Sequence, residues 1–157
     1  MARSYADTVE VPAGYRLRDG VPSPEEFVQV REAAGLSRRS LDAAERGLPN
    51  TCYGVVARTD DGADVDAHPA GRAIGMARVV GDDGAVFHVC DVAVTPPHQG
   101  RGVGTALMDA VVAYLRAEAP ETAYVNLLAD VDGFYERWGF VATAPTSKGM
   151  VWTREQR

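Results

Sequence analysis

The chain has 157 residues, of which 46% are hydrophobic and 24% charged, and its formal net charge at pH 7 is −6. This length fits one domain with a substantial core, and the acidic balance argues against a general nucleic-acid binder. No run approaches the roughly 20 apolar residues of a membrane span, and the first residues lack the apolar centre of a signal peptide. We therefore expect a cytoplasmic protein with neither a membrane nor a nucleic-acid partner.

The first third of the chain predicts a leader, a strand and two helices. Residues 1–12 are expected to form a loose leader ahead of a single domain that spans residues 13–157. The alternating "GYRLRDG" predicts a strand. Ser23, Pro24 and the two glutamates that follow are typical of a helix start, and "SRRSLDAAERGLPN" predicts a second short helix.

The middle of the chain predicts three strands. "TCYGVVART" is followed by a polar loop, "DDGADVDAHPAG", and then by "RAIGMARVV" and "AVFHVCDVAV", which "GDDG" joins as a hairpin. Cys52 and Cys90 fall in strand-like segments. In a reducing cytosol they are expected to be buried free thiols, with a disulfide or a metal site as the alternatives.

The last third predicts one long helix and several short elements. Apolar residues recur at helical spacing from Gly104 to Ala117, and Pro120 follows. "AYVNLLA" predicts a strand, "VDGFYERWG" a short helix, and "FVATAP" and "GMVWT" two final strands. This element order predicts one mixed α/β sheet with helices packed on its faces.

A glycine-rich stretch, "HQGRGVGT", lies between a predicted strand and the long helix. Free N–H groups at a helix start carry partial positive charge, and glycine lets a phosphate approach them, so the stretch predicts a phosphate cradle. A P-loop is excluded because Thr105 stands where that motif has Lys. A Rossmann site is disfavoured because Gly100, Gly102 and Gly104 have the wrong spacing and lie mid-chain. On the glycines alone, a turn without a ligand stays open.

Two longer blocks resemble one family. "VAVTPPHQGRGVGTALM" is similar to the acyl-CoA-binding signature of the GNAT superfamily of N-acyltransferases, a strand and proline-containing turn before Q/R-x-x-G-x-G/A. "GFYERWGF" resembles that family's tyrosine-bearing helix and the Gly-Phe turn after it. The resemblance covers roughly residues 13–153. It implies a mostly antiparallel, twisted mixed sheet of about six to seven strands with about four flanking helices, splayed between the fourth and fifth strands.

The resemblance implies that an acetyl group moves from acetyl-CoA to an amine by direct attack through a tetrahedral intermediate, with no metal. Backbone N–H groups of the glycine loop would hold the pyrophosphate, and the preceding strand would pair with the pantetheine arm. Many relatives carry an Asn shortly before the family's tyrosine, and Asp130 is expected to occupy a related place. The expected acetyl-CoA-binding residues are Val92, Ala93, Val94, Gln99, Gly100, Arg101, Gly102, Val103, Gly104, Thr105 and Asp130.

Two catalytic residues are expected. Tyr135 matches the family's usual general acid, which would protonate the leaving thiolate. His88 is the candidate base, because strand alternation puts it on the same face as Val94 and its side chain titrates near neutrality. Asp91, a water relay and a merely hydrogen-bonded strand histidine are the alternatives, and His68 and His98 rank lower because they lie in polar loops.

The acceptor cannot be identified from the sequence. An aromatic-lined pocket would suit an arylalkylamine, Arg38 and Arg39 would suit a carboxylate or phosphate, and the acidic net charge would suit a cation. We expect a small-molecule amine, with a protein or peptide N-acetyltransferase as the alternative and a non-catalytic CoA-binding module as the third hypothesis. A homodimer is also expected as a possibility. The acceptor-site residues predicted are Phe27, Leu36, Arg38, Tyr53 and Trp152.

Overall fold

A five-stranded mixed sheet forms the centre of the computed structural model, which describes residues 3–60 and 71–154. The strands lie in chain order across the sheet: the first four are antiparallel, and the fifth is parallel to the fourth. The strands are β1 Tyr15–Asp19, β2 Tyr53–Thr59, β3 Ala73–Gly81, β4 Val86–Val94 and β5 Tyr124–Leu127. The mixed α/β class is therefore confirmed, with a strand count slightly below the predicted six to seven.

Within the described part of the chain, three α-helices cover the sheet: α1 Pro24–Ala33, α2 Leu41–Gly47 and α3 Val103–Glu118. Ser23 begins α1 as predicted, through a capping box in which its hydroxyl accepts from the Glu26 N–H and the Glu26 carboxylate accepts from the Ser23 N–H. Helix α3 packs its apolar face on one side of the sheet, and α1 and α2 pack on the other. Two separate apolar layers result, one on each face.

The sheet opens between β4 and β5. Their pairing runs from Val86↔Tyr124 to Val89↔Leu127 and ends there, whereas β4 continues to Val94 beside β3. The second half of β4 thus has β3 on one side and a gap on the other. This matches the splay that the family resemblance implies.

A β-bulge at Asp91 overturns the predicted alternation along β4. Asp91 has φ +54°, and the register with β3 shifts between Met76 and Arg78. His88 and Cys90 consequently lie on the α1/α2 face, whereas Val94 packs against α3. The prediction that His88 shares a face with Val94 is wrong, because one extra residue in the strand reverses every side chain beyond it.

Within the described residues, the predicted leader is not loose but packs in the layer under α3. Tyr5 and Ala6 are buried in the layer under α3, and residues Ala6–Thr8 form a short 3₁₀ helix. The backbone N–H groups of Tyr5 and Ala6 each donate to the Asp19 carboxylate at 2.9 Å, and the Tyr5 hydroxyl bonds to Glu118. Apolar burial and these hydrogen bonds order a segment that has no helix or strand pattern of its own.

The predicted last elements differ from the structure. "VDGFYERWG" contains a 3₁₀ helix, Tyr135–Trp138, and no strand forms over the described residues 140–154. The predicted polar loop and its His68 lie largely outside the described residues. Within those residues, no helix combines the length and apolar character needed to cross a membrane.

Candidate active site

An open cleft of about 840 Å³ occupies the gap between β4 and β5. One wall is the second half of β4, including Val92, Ala93 and Val94. A second is the segment between α1 and α2, with Leu36 and Arg39. The third runs from the end of β5 to Phe134 and Tyr135. The cleft therefore joins the glycine loop on one face of the sheet to the α1/α2 layer on the other.

The glycine loop has the backbone that a phosphate cradle requires. Gly100 and Gly102 have φ values of +72° and +86°, which side-chain-bearing residues rarely adopt. Gly102 is the N-cap of α3, and the first intrahelical bond there runs from the Ala106 N–H to its carbonyl. The N–H groups from Gly102 to Thr105 have no acceptor within the helix and are oriented for an anion.

Gln99 connects this loop to β4. Its side-chain Nε2 donates to the Val94 carbonyl oxygen at 2.8 Å, and both residues line the cleft beside Gly104. Arg101 is exposed on the loop. The predicted donor-site residues thus lie close together at the end of β4 and the start of α3, except Asp130, which lies on the third wall.

Arg137 is a second cation at the start of α3 that sequence reasoning missed. Its Nη1 donates to the Thr105 hydroxyl at 3.0 Å, and its guanidinium stacks on the rings of Phe134 and Trp138, each at 5.2 Å. Trp138 is held in turn by a 2.8 Å hydrogen bond from its Nε1 to Asp109 on α3. The aromatic residues that flank Arg137 in "FYERW" were the sequence feature that could have indicated a stacked arginine.

His88 lines the cleft and has a defined partner. Its Nδ1 lies 2.7 Å from the Oδ1 of Asn126, its register neighbour on β5. An amide oxygen can only accept, so Nδ1 carries the hydrogen and Nε2 of the neutral ring is left as an acceptor. Asn126 was not predicted to act here. Its pairing opposite His88 becomes visible only once β4 and β5 are known to be parallel.

Asp91 is held in a cluster of opposite charges. One carboxylate oxygen accepts from Arg31 on α1, and the other accepts from Arg78 Nε on β3 at 2.8 Å. The guanidinium groups of Arg31 and Arg78 also cover Phe27, at 5.7 and 5.5 Å from its ring centre. Both Asp91 oxygens are occupied, so its structural role is to link α1, β3 and the bulge.

Tyr135 is half-buried on the third wall, with its ring packed edge-on against Phe134 at 5.0 Å. Burial and, secondarily, the negative charge of Asp130 raise the pKa of its hydroxyl. The group therefore stays protonated at neutral pH. Asp130 is exposed and lines the same wall.

The predicted acceptor residues are mostly elsewhere. Leu36 lines the cleft, and Arg39 rather than Arg38 accompanies it. Phe27 and Tyr53 are buried in the two apolar layers, because each ring fills a core position that the sequence pattern does not distinguish from a pocket. Trp152 is 78% exposed and away from the cleft walls.

The two cysteines are free and partly buried. Burial, then the neighbouring Asp91, raises the pKa of the Cys90 thiol to about 12. Cys90 lines the cleft but is a protonated, unreactive thiol at neutral pH.

Comparison with known proteins gives a consistent family. The profile described as acetyltransferase (GNAT) domain matches residues 51–142. Serotonin N-acetyltransferase 2, chloroplastic, from Oryza sativa subsp. japonica is 32% identical, covering 82% of this chain and 62% of the relative. GCN5-related N-acetyltransferase 1, chloroplastic, from Arabidopsis thaliana is 31% identical, covering 93% of this chain and 77% of the relative. The chain spans about half the length of several curated relatives that it matches.

Similar solved structures are also acetyltransferases by their descriptions. A probable acetyltransferase from meticillin-resistant Staphylococcus aureus has a TM-score of 0.78 and 35% identity, covering 88% of this chain and 98% of that one. A GNAT family acetyltransferase from Brucella melitensis, solved in complex with acetyl-CoA, has a TM-score of 0.57 and 25% identity, covering 82% and 83%.

Proposed function

Because the chain belongs to the GNAT acetyltransferase family, a family of acyltransferases, we propose that it transfers an acetyl group from acetyl-CoA to the amine of a small molecule. The observation that carries this proposal is the cleft, where the glycine loop, His88 and Tyr135 line one space between β4 and β5. The Brucella neighbour bound to acetyl-CoA supports the choice of donor.

The donor would bind from the α3 side. The N–H groups of Gly102 to Thr105 would receive the pyrophosphate, and Arg101 and Arg137 would add positive charge beside it. The exposed edge of β4 from Val92 to Val94 would pair with the pantetheine arm, as another strand would. Since Gln99 already bonds to the Val94 carbonyl, that bond would exchange for one to the arm when the donor binds.

The acceptor amine must lose its proton before it attacks. His88 Nε2 would take that proton, directly or through water, while Asn126 holds the ring at Nδ1. The amine nitrogen then bonds to the thioester carbon, and a backbone N–H near Val94 would stabilise the oxyanion. Tyr135 would donate its phenolic proton to sulfur as the C–S bond breaks, consistent with its raised pKa. The nitrogen of the intermediate would give up its second proton, which through water restores the Tyr135 phenol, so that the products are the amide, the CoA thiol and one proton on His88.

The acceptor class is the least constrained part of the proposal. The rice relative's name says serotonin, an arylalkylamine, and Leu36 offers apolar surface to such a ring. A relative named histone acetyltransferase TAP1 from Glycine max, 37% identical over 52% of this chain, favours the alternative of a protein acceptor. The cytoplasmic location stays a prediction, since the plant relatives carry chloroplastic names.

A thiol-release assay with acetyl-CoA tests the activity against two panels, arylalkylamines with other small amines, and lysine peptides. We expect turnover with the small amines and a loss of about 10²–10⁴-fold in kcat for Tyr135→Phe, because the thiolate then leaves unprotonated. Tyr124→Phe, an exposed tyrosine on β5, is the matched control and should retain wild-type rates. CoA binding without turnover on any amine would establish the non-catalytic hypothesis instead.

The pH–rate profile tests the base. A histidine base gives kcat/KM an acidic limb, which His88→Ala should abolish along with most of the rate. Asn126→Asp should move that limb to higher pH, since a carboxylate beside Nδ1 favours the imidazolium. An unchanged limb in both variants would remove His88 from the mechanism and leave the water relay.

A further inference from the structure

The cleft carries opposite charges on two of its walls. Among the described residues, the arginine and carboxylate side chains that line it are Arg31, Arg39, Asp91 and Asp130. Arg31 and Asp91 form a buried ion pair, so their charges compensate each other. Neither Arg39, between α1 and α2, nor Asp130, on the third wall, forms an ion pair within the described part of the chain. One wall is therefore positive and another is negative.

The guanidinium group of Arg39 keeps one edge available to a ligand. Its Nη1 donates to the Ser37 hydroxyl at 2.9 Å and to the Arg38 carbonyl at 3.1 Å. Its Nε and Nη2 have no acceptor among the described residues. These two nitrogens form a planar fork that matches a carboxylate or a phosphate through two parallel hydrogen bonds. The side chain is thus restrained at one nitrogen while its anion-binding edge stays open.

Ser37 supplies a hydrogen-bond donor beside Arg39. Arg31 Nη2 donates to the Ser37 hydroxyl oxygen at 3.2 Å, and Arg39 Nη1 donates to the same oxygen at 2.9 Å. Because a guanidinium can only donate, both lone pairs of this hydroxyl are occupied and its own hydrogen must point elsewhere. No described residue accepts that hydrogen, and Ser37 lines the cleft. The wall therefore offers an anion an O–H donor in addition to the arginine.

Arg31 holds this wall in place. Its Nε and Nη2 donate to the Ser37 carbonyl at 3.1 and 2.8 Å, and its Nη1 bonds to Asp91 on β4. Arg31 itself is only 5% exposed. The segment between α1 and α2 is thereby tied to the strand that also carries His88. A ligand that binds here meets donors that are already positioned, which reduces the entropic cost of binding.

Asp130 makes the opposite wall suitable for a cation. It lies on the wall that carries Tyr135, and its negative charge acts on the Tyr135 hydroxyl. An acceptor amine is an ammonium cation until it gives up its proton, so this wall attracts it. The charge pattern therefore favours a ligand with its cationic end near Tyr135 and an anionic end near Arg39.

We propose that the acceptor is a small molecule that carries an anionic group, a carboxylate or a phosphate, in addition to its amine. This inference rests on the proposed acetyl transfer and names its substrate class. Arg39 and the Ser37 hydroxyl bind the anion, and Leu36 on the same wall offers apolar surface to the carbon skeleton. Arg39 is then a specificity-determining residue that takes no part in the proton transfers.

Matched pairs of amines in the thiol-release assay test the substrate class. The partners in each pair differ in one anionic group: γ-aminobutyrate with its amide, para-(aminomethyl)benzoate with its amide, and O-phosphoethanolamine with ethanolamine. We expect kcat/KM to be about 10-fold or more higher for the anionic partner. A nearby negative charge favours the ammonium form, so amine basicity works against this preference. A preference confined to the carboxylate pairs would indicate an amino acid, and one confined to the phosphate pair an amino phosphate.

The variant Arg39→Gln tests the residue. The ratio of kcat/KM between the anionic and neutral partners is independent of the folded fraction, and we expect it to fall about 10-fold. Arg38→Gln is the matched control, because Arg38 is also exposed but does not line the cleft, and it should keep the wild-type ratio.

Two results would overturn this inference and leave acetyl transfer intact. One is wild-type turnover of small amines with no preference for the anionic partners. The other is an Arg39→Gln ratio equal to that of the wild type or of Arg38→Gln. Absence of turnover with every small amine and lysine peptide would instead contradict the proposed function itself, and the substrate class would fall with it.

Discussion

The body of the protein, formed by β1–β4 and the three helices, differs sharply from the β5 end, formed by β5 and residues 128–154. The same residue types occur in both regions under opposite conditions. Asp91 is enclosed by two guanidinium groups, whereas Asp130 is exposed on the cleft wall. Tyr53 is 7% exposed and Tyr124 is 57% exposed. In both comparisons the side chain in the body is almost wholly buried and hydrogen-bonded, whereas its counterpart at the β5 end is exposed.

This contrast assigns stability and function to different parts of the chain. Buried ion pairs contribute little net energy when formed, but removing one partner leaves a charge without compensation. Exposed groups can be changed at almost no cost to folding. Three matched substitutions, each made once in the body and once at the β5 end, test the contrast.

The largest effect is expected for Asp91→Ala. It leaves Arg31 and Arg78 buried without their carboxylate and should lower the free energy of unfolding by about 3–5 kcal/mol. Asp130→Ala should change it by less than about 0.5 kcal/mol. Urea denaturation at a fixed protein concentration measures both. An equal loss of unfolding free energy in the two variants would show that the Arg31–Asp91–Arg78 cluster does not stabilise the body.

A smaller, pH-dependent effect is expected for Glu26→Gln. Burial alone would raise the pKa of the Glu26 carboxyl, but hydrogen bonds from Arg58 at 2.6 and 2.9 Å and from backbone N–H groups outweigh it and lower the pKa below its ordinary 4.5. The unfolded chain then binds the proton more readily, so this stabilisation is complete above the ordinary pKa and is lost as the pH falls through the folded-state value.

The Glu26→Gln variant should therefore be about 2 kcal/mol less stable than the wild type at neutral pH, and this difference should shrink in acid. Urea denaturation over a pH series measures it. Glu136→Gln, in the exposed 3₁₀ helix, is the control and should show no such difference. A Glu26 difference that persists unchanged at low pH would mean that carboxylate charge is not its source.

The smallest effect is expected for Tyr53→Phe. It removes the 2.7 Å hydrogen bond from the hydroxyl to Asp19 but keeps the ring stacked on Tyr114 at 4.6 Å, so the loss should be about 1 kcal/mol. The KM for the amine should not change, because Tyr53 is a core residue. Tyr124→Phe should leave stability unchanged. A raised amine KM for Tyr53→Phe would return this residue to the acceptor site.

The sequence predicted most accurately those elements that are specified by residues close together along the chain. Ser23 with Pro24, the helical spacing before Pro120 and the glycine loop specify their elements within a few residues, and all three appear in the structure. The bulge at Asp91 could not be predicted, because "VCDVAV" is an apolar run in which no glycine or proline indicates an interruption. The partners of Asp91 are 60 and 13 residues away, at Arg31 and Arg78.

The prediction of the acceptor-site residues was mostly wrong for a related reason. Phe27 and Leu36 are both apolar residues near the first helix, and only tertiary packing decides that one is 4% exposed under two arginines while the other lines the cleft. Two residues that sequence reasoning overlooked, Asn126 and Arg137, depend on the parallel register of β5 and on the fold of the 3₁₀ helix. The final strands were predicted from β-forming residues, but no strand is formed over the described residues 140–154.

The bulge at Asp91 reverses the alternation of side chains between the two halves of β4. Upstream of it, His88 and Cys90 face the α1/α2 layer. Downstream, Val94 faces α3. Val89 nevertheless packs in the α3 layer and Ala93 in the α1/α2 layer, so each half of β4 contributes side chains to both faces of the sheet. Deleting this single residue would be far more disruptive than replacing it, because every side chain in one half of β4 would then point to the opposite face of the sheet.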